Sequence, residues 1–273
     1  MAYQCPLCQQ PLSLRERSLQ CESNHQFDMA KEGYVNLMPA HHKRSKDPGD
    51  NKEMMQARRE FLSQNHYQPM RDRVATLCSE LLSSDTAHLL DIGCGEGYYT
   101  EEVNRRVTQE HPLAQVYGLD ISKVAIRYAA KRYKSCHFSV ASSHRLPFID
   151  HSLDAVLRIY APCKADELSR VIKSKGYVIT VTPGARHLYQ LREKIYQDVR
   201  LHNEQVEQLD GFELVKEESL NYTMSLSDGG ALQLLQMTPF AWKANDELRT
   251  ELQSATLFEC EADFVIRVFQ KNS

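Results

Sequence analysis

Residues 89–100, LLDIGCGEGYYT, hold this chain to a narrow set of folds. An apolar run ends in an acid, Asp91, and gives way at once to Gly93, Gly95 and Gly97. Glycine tolerates positive φ and lets the backbone approach a ligand with no Cβ in the way. A strand that hands over to a helix through such a turn aims the helix's first amides at whatever fills the crevice. Dinucleotide folds space their glycines G-x-G-x-x-G and P-loops use G-x-x-x-x-G-K-[ST], whereas the spacing here is G-x-G-x-G. Asp91 would repel a pyrophosphate and suits a cationic ligand. A second acid, Asp120, closes the next expected strand in VYGLD, where it can accept bonds from both hydroxyls of a ribose.

The surrounding pattern is α/β. From about residue 71, AHLLDI, QVYGLD, CHFSVA, LDAVLRIY and YVITVT read as short strands. SKVAIRYAAKRY, with Ser122 as N-cap, and KADELSRVIK read as helices between them. That alternation predicts parallel βαβ units in a sheet covered on both faces. Two later stretches, LVKEESLNYTMSL and FECEADFVIRVFQK, suit antiparallel edge strands. A length of 273 residues accommodates one sizeable domain with a small appendage. The expected division is a small module at 1–37, a polar linker with a helix near 52–63 filling out 38–70, and the α/β domain at 71–273.

The small module is organised by Cys5, Cys8, Cys21 and His25, spaced C-x2-C-x12-C-x3-H. Two thiolates two residues apart can reach one ion from a tight turn, and a second pair closes a tetrahedral zinc shell. With four protein ligands no position is left for a reactive water, so the expected zinc is structural. Asn24, His41 and His42 are alternative donors with poorer spacing. The other five cysteines are scattered, as buried small hydrophobes usually are in a reducing compartment.

Taken together, DIGCGEGYYT, GLDIS and LPFIDHSLDAV resemble the successive motifs of class I S-adenosylmethionine-dependent methyltransferases, over roughly residues 70–185. The resemblance implies a Rossmann-like seven-stranded sheet with its last strand antiparallel, and S-adenosylmethionine as methyl donor. One position departs. Relatives often carry an acid after the third strand to bind the adenine amino group, and VASSHRLPF puts Ser142 there, a weaker acceptor. The Asn/Asp-Pro-Pro-aromatic signature of many amine methylating enzymes is also missing, replaced by Arg158-Ile159-Tyr160-Ala161-Pro162-Cys163. That leans away from adenine-N6 or Gln/Asn methylation.

The acceptor is addressed by the first 60 residues. Residues 1–75 carry 11 Lys and Arg against 9 Asp and Glu, the remainder 22 against 27, so the N-terminal part is the basic one. His41–His42–Lys43–Arg44–Ser45–Lys46 and Arg58–Arg59 are cationic clusters able to meet phosphates, and Tyr34, Tyr67, Tyr98, Tyr99 and Tyr160 are able to stack on bases. CPLCQQPL, CESNHQFDMAKEGYVNL, HHKRSKDPGD, QARREFL, HYQP, RIYAPC and TPGARHL complete a pattern similar to the bacterial 23S rRNA guanine-N1 methyltransferases. This resemblance implies a guanine in a 23S rRNA hairpin loop as acceptor, and Cys5, Cys8, Cys21 and His25 as zinc ligands. It also implies that Tyr67 and His187 lie beside the cofactor with Gly95, Glu96, Gly97, Tyr99 and Thr100. Asp166, His144, His187 and Tyr160 are candidates to assist loss of the guanine proton. Two other functions stay open: a methyltransferase for a small metabolite such as a quinone precursor, and a non-catalytic zinc-ribbon RNA-binding protein.

No apolar run approaches the roughly 20 residues that cross a bilayer. The start MAYQCPLCQQ lacks the pattern of an export signal, so a cytoplasmic protein with no membrane partner is expected. The sequence is compatible with a homodimer and does not fix the oligomeric state.

Overall fold

A computed structural model describes residues 1–39 and 51–273. The cluster at 41–46 lies outside the described residues.

The N-terminal module is a three-stranded antiparallel sheet of β1 (Ser13–Arg15), β2 (Ser18–Gln20) and β3 (Gln26–Asp28), followed by the two-residue strand β4 (Val35–Asn36). Next come helices α1 (Lys52–Ser63) and α2 (Gln68–Leu81). The expected helix at 52–63 is present, capped by Asn51, whose side chain accepts from the Met54 amide. Because α2 starts at Gln68 and both helices bury apolar residues in the α/β core, residues 52–70 pack as part of that body.

The parallel half follows the sequence pattern closely: β5 (His88–Ile92), α3 (Tyr98–Glu110), β6 (Gln115–Asp120), α4 (Lys123–Arg132), β7 (His137–Val140) and β8 (Leu153–Ile159). Ser122 caps α4 by accepting from the Ala125 amide. Helix α5 (Ala165–Val171) stops earlier than its sequence predicts, and β9 (Ile172–Pro183) starts at once. Ile172 pairs with Leu153 of β8, and that pairing overrides local helix preference. The C-terminal part contains α6 (Tyr189–Glu193), β10 (Phe212–Leu226), α7 (Gly230–Gln236), a 3₁₀ turn (Pro239–Lys243), α8 (Asp246–Ser254) and β11 (Phe258–Lys271).

The large sheet has the order β10-β11-β9-β8-β5-β6-β7-β4. Seven strands make the expected arrangement, and the eighth, β4, comes from the N-terminal module and pairs parallel to β7 at the edge. Strand β11 is antiparallel to both neighbours. It is an interior strand and not the edge strand expected. Its buried run from Ala262 to Phe269 is covered on both faces, which its alternating sequence disguised. Of the two C-terminal strands, β10 is the one at the rim.

Adjacent residues of the central strands serve opposite faces. Leu89 and Leu157 join the core under α1, α2, α3 and α7, while Leu90, Ile92 and Val156 face the other side. That second side is closed partly by α5 and partly by the N-terminal module, through Tyr3, Leu12 and Leu19. The module is stitched on by backbone bonds. Gln4 N–H donates to Pro147 O at 2.9 Å, and Ile149 N–H to Ala2 O at 3.0 Å. The Ala2 amide donates to the Tyr117 hydroxyl at 3.1 Å. The module therefore acts as a wall of the sheet's core, where a covering helix would otherwise sit.

Candidate active site and metal centre

Chain order reverses between β5 and β8, and the crevice beyond the carboxyl ends of these strands is where open α/β sheets bind ligands. The turn after β5 takes positive φ at Gly93 (71°), Gly95 (54°) and Gly97 (82°), so the three glycines are required by backbone conformation. A Cβ on Gly93 would come within 2.8 Å of the Ala161 side chain, and one on Gly97 within 3.0 Å of Phe138 and Tyr133. Gly95 faces open space. The turn is tied to Asp120: Gly95 N–H donates to Oδ2 at 3.0 Å, and Ser122 N–H to Oδ1 at 2.8 Å. Asp91 is buried and accepts from Thr100 Oγ1 at 2.7 Å. Burial lifts its carboxyl to about 7, helped by the nearby Asp120 charge and opposed by the Thr100 hydroxyl.

A cavity of about 1060 Å3 opens over this turn. Of the residues singled out from sequence, Tyr67, Asp91, Gly93, Gly95, Glu96, Tyr99, Asp120 and His187 line it. Gly97 and Thr100 stand behind the wall, one starting α3 and the other holding Asp91. Ser142 is not on the wall; its hydroxyl accepts from the His144 amide at 3.1 Å. Beside Asp120 the wall is made by Ile121 and Ser122. Asp166 and His144 lie away from the cavity, whereas Tyr160 is on it. Sequence reasoning missed the far rim, Met237–Phe240, and the role of Arg59. Arg59 clasps Glu96 through two bonds of 2.7 and 2.6 Å and lies over the Tyr128 ring, so it is committed to the glycine turn.

The wall opposite the turn is aromatic. Tyr67 packs edge-on against Phe61 and Phe264, and His187 lies 4.8 Å from Phe264, centroid to centroid. Burial, then the neighbouring His202, holds the His187 imidazole down to about 3, so it is neutral at working pH. Its Nδ1 accepts from the Asp263 backbone amide at 3.2 Å, which puts the ring proton on Nε2. Nε2 faces the Tyr160 hydroxyl at 3.4 Å. With the ring proton on Nε2, His187 donates to the Tyr160 oxygen and the Tyr160 hydroxyl keeps its own proton to donate elsewhere. Tyr160 has φ of 55°, an uncommon backbone state for a non-glycine residue and one often retained at functional sites.

The donor set fits S-adenosylmethionine: acids at the ends of β5 and β6, an open face at Gly95, and a buried Tyr98 hydroxyl on the wall with no hydrogen-bond partner among the described residues.

In the N-terminal module the candidate ligand atoms of Cys5, Cys8, Cys21 and His25 all lie within 4.8 Å of one another. Cys8 Sγ to Cys21 Sγ is 3.5 Å, Cys21 Sγ to His25 Nδ1 3.5 Å, and Cys5 Sγ to His25 Nδ1 3.6 Å. Bonds of about 2.0–2.3 Å around a tetrahedral zinc give edges of roughly 3.5–3.8 Å, so the set fits that ion. Each pair sits on a tight turn, closed by Gln9 N–H to Cys5 O and by Asn24 N–H to Cys21 O. The Cys8 thiol is held down to about 6, chiefly by the Gln10 amide, which favours the thiolate a metal needs.

A doubly wound sheet with an acid-glycine turn at its switch point, carrying a four-ligand ribbon, defines a class I S-adenosylmethionine-dependent methyltransferase with a zinc module. The profile described as "Methyltransferase domain" matches residues 83–253, and "RlmA, N-terminal" matches residues 3–46. A third profile, the ATP-binding domain of the carbamoyl-phosphate synthase L chain, overlaps residues 31–134; that span cuts across both bodies and corresponds to no unit of this fold. A 23S rRNA (guanine(748)-N(1))-methyltransferase of Streptomyces fradiae is 33% identical over 89% of this chain and 87% of its own length. YxjB of Bacillus subtilis, provisionally described as a 23S rRNA (guanine-N(1)-)-methyltransferase, is 32% identical over 93% of each chain. The demethylmenaquinone methyltransferase of Thermotoga maritima is 29% identical over 46% of this chain and 55% of its own length. The chain belongs to the family of 23S rRNA (guanine-N1)-methyltransferases.

Proposed function

We propose that this enzyme methylates N1 of a guanine in a hairpin loop of 23S rRNA. The observation that carries the reading is that the rRNA methyltransferase relatives match about nine-tenths of the chain, module and sheet together, while the metabolite methyltransferase covers less than half. A metabolite enzyme would leave the cysteine module with no part in acceptor choice. Ribosomal RNA as substrate also implies a cytoplasmic site of action. Among the described residues no helix is long and apolar enough to cross a membrane.

S-adenosylmethionine supplies an electrophilic methyl group on a sulfonium. In this reading Asp120 accepts from the ribose hydroxyls, and Asp91, Gly93, Gly95, Gly97, Tyr99 and Thr100 form or brace the donor's cradle. Tyr67 and His187 close the opposite wall, with Glu96 at the mouth. Ser142, off the cavity wall, is left out of this set. A flipped guanine enters against Tyr160, whose hydroxyl can donate to a purine 6-carbonyl. The N1 proton must leave as the methyl arrives, and much of the acceleration comes from holding nitrogen and methyl in line.

The test is primer extension and mass mapping of 23S rRNA from a strain lacking the gene, with and without complementation. N1 lies on the pairing edge, so methylation should stop reverse transcription at one loop guanine in the complemented strain only. Identical rRNA in both strains overturns the reading.

A further inference from the structure

Trp242 is the sole tryptophan of the chain and, at 77% exposure, the most exposed large apolar side chain among the described residues. It does not hang from a loose tail. Thr238 Oγ1 donates to Leu235 O at 2.7 Å, Arg249 reaches back to Ala241 O, and Phe240 and Ala241 pack on the core. The same short turn supplies the cavity rim through Pro239 and Phe240, joined to α1 by Arg58 donating to Met237 O at 3.2 Å. Trp242 is thus held outward two residues beyond the cavity wall. Lys243 Nζ sits 4.5 Å from the Tyr196 ring and 5.1 Å from the Trp242 ring, and Tyr196 meets Phe240 edge-on. A strip of aromatic rings with one cation runs from the cavity to solvent.

We infer that Trp242, with Lys243 beside it, is a stacking platform for an unpaired base of the RNA strand that feeds the cavity. Drawing one base into the cavity unstacks its neighbours, and an indole face offers a neighbour a replacement surface. An adjacent ammonium meets the phosphate that connects them. A protein partner or a second copy would bury the indole as well, but neither explains a cation placed between two rings at the mouth of a nucleic-acid site. The inference rests on the rRNA reading.

Because the chain has a single tryptophan, its fluorescence reports on this one position. The full-length, zinc-loaded protein is titrated with an end-labelled RNA hairpin and with a duplex of equal length, following tryptophan emission and label anisotropy together. The hairpin should quench emission in step with binding, and the duplex should quench far less. Trp242→Ala should weaken hairpin binding by roughly ten- to hundredfold, Trp242→Phe by much less, with S-adenosylhomocysteine affinity unchanged in both. Hairpin binding and methylation with silent emission and an unaffected Trp242→Ala variant overturns the platform and leaves the rRNA reading standing. Sedimentation in which Trp242→Ala loses a dimer but keeps RNA affinity also overturns it, in favour of self-association. A wild-type protein that neither binds nor methylates the hairpin overturns both.

Discussion

Asp91 and Asp120 stand at the carboxyl ends of the neighbouring parallel strands β5 and β6, yet burial gives them different work. Asp120 lies at the cavity and accepts from two backbone amides, Gly95 through Oδ2 and Ser122 through Oδ1. Asp91 is fully enclosed and titrates near 7. An acid whose folded value lies above its ordinary one binds protons more readily folded than unfolded, so its cost to stability grows as pH rises from about 4 to about 7. A cationic ligand reverses that preference by favouring the carboxylate. Donor affinity should therefore fall about tenfold per pH unit below about 7 and level off above it. Asp91→Asn should flatten the profile; calorimetric titration with S-adenosylmethionine from pH 5.5 to 8.5 checks this, and a flat wild-type profile refutes it. Asp120→Ala should weaken the donor at every pH, because two ribose hydroxyls lose their acceptor. These acids could be read from sequence because their partners, Thr100, Gly95 and Ser122, lie in the turns and helix starts that directly follow β5 and β6. Ser142 could not be placed, since its direction depends on the local turn to His144.

At the scale of elements, helix α1 was readable as a helix and unreadable as a clamp. Its caps and spacing are local, while the contacts that give it a purpose are distant: Arg59 to Glu96 across 37 residues and Arg58 to Met237 across 179. The pair of arginines looked like a phosphate patch in sequence. In the fold Arg59 is spent on the glycine turn, stacked over Tyr128 and bidentate to Glu96. A partly exposed ion pair of this kind contributes only about 0–1 kcal/mol to stability. Its larger effect should be on the closure of α1 over the donor. Arg59→Ala is expected to shift the thermal midpoint little and to speed donor release by roughly three- to tenfold, since small losses of closure energy act mainly on dissociation. Stopped-flow release of S-adenosylmethionine measures it. An unchanged release rate with an unchanged midpoint would leave the clasp without a function. The helices after β9 escaped the sequence reading for the same reason: α7 and the 3₁₀ turn are short and are held by packing against α1 and α8.

At the scale of the molecule, the cysteine module was foreseen as a separate reader of RNA, and the fold makes it a structural wall too. Its spacing announced zinc because a two-residue gap is a local signal. Nothing in the spacing announced that Leu12, Leu19 and Tyr3 would pack on Leu90, Ile92 and Tyr117, or that β4 would extend the main sheet. Deleting residues 1–37 would uncover that face and remove the edge strand, so loss of activity after deletion would not separate RNA recognition from folding. A single ligand change is more informative. Cys8→Ser should lower zinc content, since one of four donors is replaced by a poor one. It should also lower the thermal midpoint of the whole protein, by about 2–4 °C for each kcal/mol lost, because module and sheet share one core. RNA methylation should fall, and donor affinity measured well below the midpoint should hold, because the cavity is built from other residues. Metal analysis, thermal unfolding and donor titration on the same preparation decide between the roles. Full zinc content would refute the ligand set. Lost zinc with an unmoved midpoint would mean that the wall stands without its metal, leaving RNA recognition as the module's remaining work.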